Sequence, residues 1–299
     1  MRLTQLQYFM AVYEHQNITK AAEKLHISQP SITIALKELE NEYHVNLFHR
    51  INKKMFLTEE GKIFYRYASA ILKNVQELDN SMQDLTGNRN MIKLGMPLQI
   101  GAFLLPLLCK DFKTAYPKIN LSLVECGAMD IVDKLLGEEL DIAVACIDPQ
   151  STALDLIPLF ETEICFCVHK SHPLASRTSI SFEESCSYPV TMVPEGSYTY
   201  KRICSVANEK CIHPNVTLYS QQLYTILNLI TLAGMGSYLI KEATAHAPDI
   251  VTIPFVEPLT VTANTLTKKG RLLYTDSKAL ISFIREKYRI QRLKNNLDC

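Results

Sequence analysis

The stretch from Asn17 to Thr33 leaves the chain little freedom in how it folds: it reads as two short helices joined by a tight turn. Ala21, Ala22 and Leu25 recur at helical spacing, and the small alanines let a second helix approach closely. Asn17 or Thr19 can cap the first helix, because either side-chain oxygen accepts from a backbone N–H that has no partner within the helix. Ser28 is a natural cap for the second, and Pro30 falls in its first turn, where a missing N–H costs little. Ile32, Leu36 and Leu39 follow at steps of four and three and turn inward. Gln29, Ser31 and Thr33 lie off that face near the helix start, the part that a helix-turn-helix pushes into a DNA major groove.

A helical hairpin inside an ordinary core has the same local pattern, and the flanks separate the two readings. Upstream, Leu6, Phe9 and Val12 supply a third helix to cover the apolar side. Downstream, Val45 to Thr58 reads as two short strands around a tip bearing Arg50, Lys53 and Lys54. Basic residues on a hairpin beside a helix-turn-helix suit a wing that touches phosphates. Together these features describe a winged helix-turn-helix.

Residues 1 to about 66 resemble the DNA-binding domain of LysR-type transcriptional regulators. The matching residues include Phe9, Ala21, Ala22, Leu25, Ser28-Gln29-Pro30-Ser31, Leu39-Glu40, Leu47-Phe48-His49-Arg50 and Leu57-Thr58-Glu59-Glu60-Gly61. The resemblance implies that Gln29, Ser31 and Thr33 approach base edges, with Arg50, Lys53 and Lys54 against the backbone. Thr19 and Pro30 complete the expected contact set. One position departs from the family, which often carries Arg or another polar residue where this chain has Ile34. An exposed Ile suits a thymine methyl; packing into the core explains it equally well.

At 299 residues the chain suggests two or three domains. With 47% hydrophobic and 21% charged residues it has material for a sizeable core, which argues against wholesale disorder. The 31 basic and 31 acidic residues balance, which argues against a generic nucleic-acid coat protein. Residues 1–66 hold nine Lys/Arg and seven Asp/Glu, a net of +2, leaving −2 for the remainder. DNA affinity must then lean on dimerisation and local phosphate contacts instead of a broad field. Neither an apolar run able to span a bilayer nor a signal-peptide core after Met1 is present, so no membrane partner and a cytoplasmic location are expected. Nine cysteines without CxxC pairs suit reduced, mostly buried thiols.

After Gly61 the pattern turns helical: Ile63, Tyr67, Ile71, Val75, Leu78, Met82 and Leu85 follow at steps of 4, 4, 4, 3, 4 and 3. A long helix with one narrow apolar stripe cannot bury it alone, so it pairs with another such helix or packs on its own domain; its place beside a DNA reader favours the pair. Thr86-Gly87-Asn88-Arg89-Asn90 reads as a hinge.

From Met91 onward strands and helices alternate: strand Met91–Met96, helix Gly101 to about Tyr116, strand Ile119–Glu125, helix Met129–Leu136 and strand Leu140–Cys146. Such βαβαβ order implies a mainly parallel sheet with helices on both faces. A second unit follows from about Cys165 to Ile253, with helices Tyr198–Glu209 and Gln222–Leu232. Val261–Leu266 and the helix Asp276–Arg289 return to the first unit. The expected fold class is α/β, with an N-terminal winged helix-turn-helix (1–58), a linker and dimerisation helix with its hinge (59–90) and a two-lobed, periplasmic-binding-protein-like effector domain (91–299). Lobe 1 is about 91–162 and 261–299, and lobe 2 about 163–260. The LysR-type family carries such a domain, so the resemblance extends over essentially the whole chain. Gly137-Glu138-Glu139-Leu140-Asp141-Ile142-Ala143 and Ala233-Gly234-Met235-Gly236 fit its pattern.

Ligands of two-lobed α/β domains bind at the carboxyl ends of strands, against helix N-termini. That rule selects Pro97, Leu98, Gln99, Ile100, Gly127 and Ala128 in the first lobe, and Gly196, Ser197, Tyr198 and Thr199 in the second. Free N–H groups there favour anions or polar carbonyls, and Arg202, one turn on, can add a cation. Enzymatic motifs are lacking: there is no GxSxG, HExxH, phosphate loop or metal-spaced Cys/His cluster, so no catalytic residue, metal or cofactor is expected. His169 and His172 flank Lys170 and suit a surface loop. Cys204 and Cys211 raise a redox reading, because peroxide-sensing members of the family use two cysteines in this lobe; on one helix seven residues separate them by roughly 10 Å, too far for a disulfide, and with Cys211 past the helix end the pair closes only if the segment refolds. The expected function is a LysR-type regulator that binds double-stranded promoter DNA as a homodimer or homotetramer. A small effector of unidentified chemistry controls it, with anions or polar carbonyls favoured by the reasoning above, and RNA polymerase is a further candidate partner. The alternatives are a cysteine-based redox-sensing regulator or a solute-binding protein without regulation.

Overall fold

A computed structural model describes residues 1–52, 54–87, 89–148 and 153–295. The chain divides into two compact units, Met1–Arg89 and Asn90–Cys299.

The first unit comprises helices α1 (Leu3–His15), α2 (Ile18–Leu25) and α3 (Gln29–Tyr43), strands β1 (Phe48–Ile51) and β2 (Lys54–Leu57), and helix α4 (Glu59–Leu85). Its helix starts are fixed by side-chain caps. Asn17 accepts from the Lys20 N–H, Ser28 from that of Ser31 and Thr58 from that of Gly61. Leu6, Phe9, Val12, Ala21, Ile32 and Leu39 are fully buried and close the core. Phe9 packs its ring 5.0 Å from Phe48, tilted, and 4.8 Å from Phe64, edge to face, which ties α1 to the wing and to α4. The strands pair antiparallel from Phe48↔Leu57 to Ile51↔Lys54. Gly61 permits the close passage of α4, since a Cβ there would lie 2.1 Å from the Leu47 carbonyl oxygen. Thr58 as cap starts α4 at Glu59, two residues before Gly61.

The second unit contains β3 (Met91–Met96), α5 (Leu98–Leu107), α6 (Lys113–Ala115), β4 (Asn120–Glu125), α7 (Ala128–Leu136) and β5 (Ile142–Cys146). It continues with β6 (Leu154–His169), α8 (Phe182–Ser185), β7 (Val190–Met192), α9 (Tyr198–Glu209), β8 (Val216–Tyr219), α10 (Leu223–Ala233), β9 (Gly236–Ile240), β10 (Ile250–Ile253), β11 (Leu259–Lys268) and α11 (Thr275–Asn295). A π turn at Leu108–Phe112 joins α5 to α6 just after Pro106, which lacks the N–H that a regular helix needs there. Strands β3, β4 and β5 run parallel, as do β7, β8 and β9. Between these two lobes the long strands β6 and β11 pair antiparallel over Leu259↔Ile164 to Lys268↔Leu154. The sheet thus has a parallel set of three strands in each lobe, while the crossing strands β6 and β11 pair antiparallel with each other and with β5, β9 and β10, a narrower statement than a mainly parallel sheet. Helix α5 begins at Leu98 instead of Gly101, because Pro97 has the extended backbone of a cap residue.

The Gly137–Ala143 motif builds structure. The Asp141 carboxylate accepts from the Lys93 N–H at 2.9 Å and pairs with Arg271 at 3.0 Å, with both side chains under 10% exposed. This clamp locks the start of β3 to the loop before α11. Strand β5 therefore starts at Ile142, two residues after the expected Leu140, which is itself buried.

Candidate functional site

Two sites emerge, one in each unit. In the first, the start of α3 projects polar groups into solvent. Gln29, Pro30 and Ser31 are exposed and Thr33 is half-buried; Thr19 is exposed in the first turn of α2. Gln29 Nε2 donates to Thr33 Oγ1 at 2.8 Å, and the Ser28 and Ser31 hydroxyls lie 2.7 Å apart. The carboxylates of α3 are engaged elsewhere: Glu38 takes Arg2 and Gln5, Glu40 accepts from the Leu47 N–H, and Glu42 holds the amino terminus. The first turns of α3 thus carry no acid to repel a phosphate. Arg50 on β1 and Lys54 on β2 are exposed, while Lys53 lies outside the described residues. Ile34 is 57% exposed, so core packing does not account for it. Lys37, exposed one turn further along α3, is a cation that motif reasoning passed over.

The second site is a cavity of about 250 Å³ between the two lobes of the second unit. Helices α5, α7 and α9 all begin at its wall, which follows from their place after the carboxyl ends of parallel strands. Pro97, Leu98, Gln99, Ile100, Gly127, Ala128, Gly196, Ser197, Tyr198 and Thr199 all line it. Arg202 does not: it sits a turn into α9, about 6 Å down the helix axis from Tyr198, and only the first residues of that helix reach the wall. Strand ends supply the lining residues that sequence reasoning missed, among them Glu125, Cys146, Val193 and Ile240. The carboxyl-end rule, extended to every strand in turn, selects these as well.

The buried Gln99 spans the lobes. Its Oε1 accepts from the Ile240 N–H at 2.8 Å, and its Nε2 donates to Thr199 Oγ1 at 3.4 Å. Gly127 of lobe 1 faces Gly196 of lobe 2 so closely that a Cβ on Gly127 would lie 3.5 Å from the Gly196 carbonyl oxygen. Among the described residues, the charged side chains on the lining are Glu125, Asp130 and Glu195, all carboxylates. Lys201 on α9 is taken by Asp148 in an ion pair. Burial pushes the Tyr198 phenol up, with the Asp148 carboxylate adding to the effect. It also pushes up both cavity thiols, Cys126 and Cys146, the latter to about 12, so neither is a thiolate near neutrality.

Other candidates have local roles. His169 Nδ1 lies 2.7 Å from Ser171 Oγ, and His172 Nδ1 accepts from the Leu174 N–H, both within one turn. Cys204 is half-buried on α9 and Cys211 exposed just past its end, each a free thiol. Among the described residues no cluster of three or more His, Cys, Asp or Glu is placed to hold a metal, and no helix is long and apolar enough to cross a membrane.

Two protein families match the chain. Residues 3–62 match "Bacterial regulatory helix-turn-helix protein, lysR family" and residues 86–289 match "LysR substrate binding domain". A probable RuBisCO transcriptional regulator of Thalassiosira pseudonana is 30% identical over 266 residues, covering 84% of this chain and 86% of that protein. Full-length CbnR, solved in complex with its target DNA, superposes with a TM-score of 0.70 at 21% identity, over 96% of this chain and 99% of that one. A full-length OxyR variant from Pseudomonas aeruginosa gives a TM-score of 0.61 at 24% identity, over 95% and 100%. At these identities the two structures speak for the fold.

Proposed function

This chain belongs to the LysR family of transcriptional regulators, and from that premise we propose how its two sites divide the work. It pairs a helix-turn-helix domain with an effector-binding domain of two α/β lobes. Residues 1–58 read DNA, with Gln29, Pro30, Ser31 and Thr33 toward base edges, Thr19 beside them, and Arg50, Lys53 and Lys54 toward phosphates. Residues 59–90 join two copies through α4, giving a homodimer or homotetramer. A small molecule enters the cavity between the lobes of 91–299 and shifts the balance between conformations only as far as it favours one of them. RNA polymerase is the natural downstream partner of such a cytoplasmic regulator.

The carboxylates Glu125, Asp130 and Glu195 on the cavity lining weigh against an anion, whatever the helix N-termini favour. A neutral or amine-bearing effector fits this lining better. The observation that carries the reading is the acid-free, exposed start of α3, capped by Ser28. A DNA-binding assay at moderate ionic strength tests it. The purified chain should prefer its own upstream region to random duplex, and Gln29→Ala should weaken that preference by about 1–3 kcal/mol with the fold intact. Equal affinity for both duplexes, with or without amine metabolites, would refute the reading.

A further inference from the structure

We infer that Ile34 is a specificity-determining residue that reads the 5-methyl group of a thymine in the major groove. The inference rests on the proposed entry of α3 into that groove and adds which base it selects. At about 100° per residue, the buried Ile32, Ala35, Leu36 and Leu39 share one side of α3. Pro30, Ile34, Lys37 and Asn41 run along the opposite side, and all four are exposed. Ile34 therefore sits at the middle of the outward line, whereas Gln29 and Thr33 stand to one side of it and bind each other.

The side chain has no structural employment. It is 57% exposed and takes no part in the hydrophobic core of its unit, which uses the other large apolar residues of α3. An isoleucine in a helix is held in essentially one χ1 rotamer, so its methyl surface is already fixed in place before any contact forms. Among the groups on base edges in the major groove, the thymine methyl is the apolar one. Lys37, a turn further on, can take a phosphate and set the register.

The test uses the full chain and a motif enriched from a random duplex library. Each thymine of that motif is replaced in turn by uracil, which removes the methyl and nothing else. One thymine per half-site should show a loss of about fourfold in affinity, the worth of one buried methyl. In the Ile34→Ala protein that same replacement should have no effect, and Ile34→Arg should move the preference at that position from thymine toward guanine. Thermal melting of both variants at the native temperature shows that the fold is kept. If the wild-type chain enriches a motif but no uracil replacement is silenced by Ile34→Ala, the inference is overturned while groove entry stands. A library that enriches no motif overturns groove entry and the inference together.

Discussion

Helices α3 and α4 carry apolar stripes of nearly the same spacing, with opposite fates. On α3, Ile32, Leu36 and Leu39 are no more than 5% exposed, packed beneath α1 and α2. On α4, Ile63, Tyr67, Leu78, Met82 and Leu85 range from 49% to 78% exposed, and the buried residues along its 27 positions are Gly61 and Ala68. Periodicity alone gives the face; what covers it depends on what else the unit can bring. Helices α1 and α2, the wing and the first turns of α4 close a core around α3, but among the described residues of Met1–Arg89 none covers the later turns of α4. We propose that this exposed apolar row is the surface through which α4 meets a second copy.

The contrast can be broken most forcefully from the covered side. Leu39→Ala should cost the first unit about 2–5 kcal/mol, because a fully buried leucine leaves a cavity when truncated. Urea unfolding followed through tyrosine fluorescence reads this; a loss below about 1 kcal/mol would remove the α3 stripe from the core. From the uncovered side, Leu78→Ala should leave the folded monomer within about 0.5 kcal/mol of wild type. It should nevertheless weaken self-association by about 1.5–3 kcal/mol, the worth of one leucine buried between copies. Sedimentation at graded concentrations separates the two effects. An unchanged dimer constant would remove α4 from the interface.

The same contrast explains what could be read in the sequence. Features set by a few neighbouring residues are legible: the caps at Asn17 and Ser28, the two strands of the wing, and the stripe of α4. Features assembled over long separations are less so. The strand-end rule placed Gln99 and Thr199 on one lining, 100 positions apart, but not the bond between them, nor the Ile240 N–H that Gln99 accepts from. Arg202 lies one turn on from the start of α9, and that depth along the helix takes it off the lining. The carboxylates on the lining are a further case, since Glu125 and Glu195 come from separate segments. Asp141 looked like a family signature without a role, and its partner Arg271 is 130 residues away.

Gln99 extends the comparison to the second unit, where a buried polar group does what apolar packing does in α3. Gln99→Ala should leave the Ile240 N–H and the Thr199 hydroxyl without their partner, at a cost of about 1–3 kcal/mol. The loss falls on the contact between lobes, so it should appear as faster amide exchange at Ile240 with the exchange of β3 unchanged. Uniformly faster exchange through both lobes would show that Gln99 supports the whole unit instead of the closure between its halves.

The smallest effect is expected at the cysteines, where cover again decides chemistry. Burial pushes the thiols of Cys165 and Cys167 up, Cys167 to about 12, so they stay protonated and unreactive at pH 8. Cys109 and Cys211 are exposed and should react first with a disulfide reagent. Reactivity does not make a switch. Cys211 follows the end of α9 with a left-handed backbone (φ 52°) and its Sγ turned to the Asn208 carbonyl, seven positions beyond Cys204. A helical rise over that interval is about 10 Å, well past the Cα separation that a disulfide accepts. Peroxide should therefore leave the intact mass free of the 2 Da loss that marks a bond between them, and Cys204→Ser should bind DNA as the wild type does before and after oxidation. A mapped Cys204–Cys211 disulfide would require the end of α9 to unwind, and would turn an ordinary uncovered thiol into a sensor.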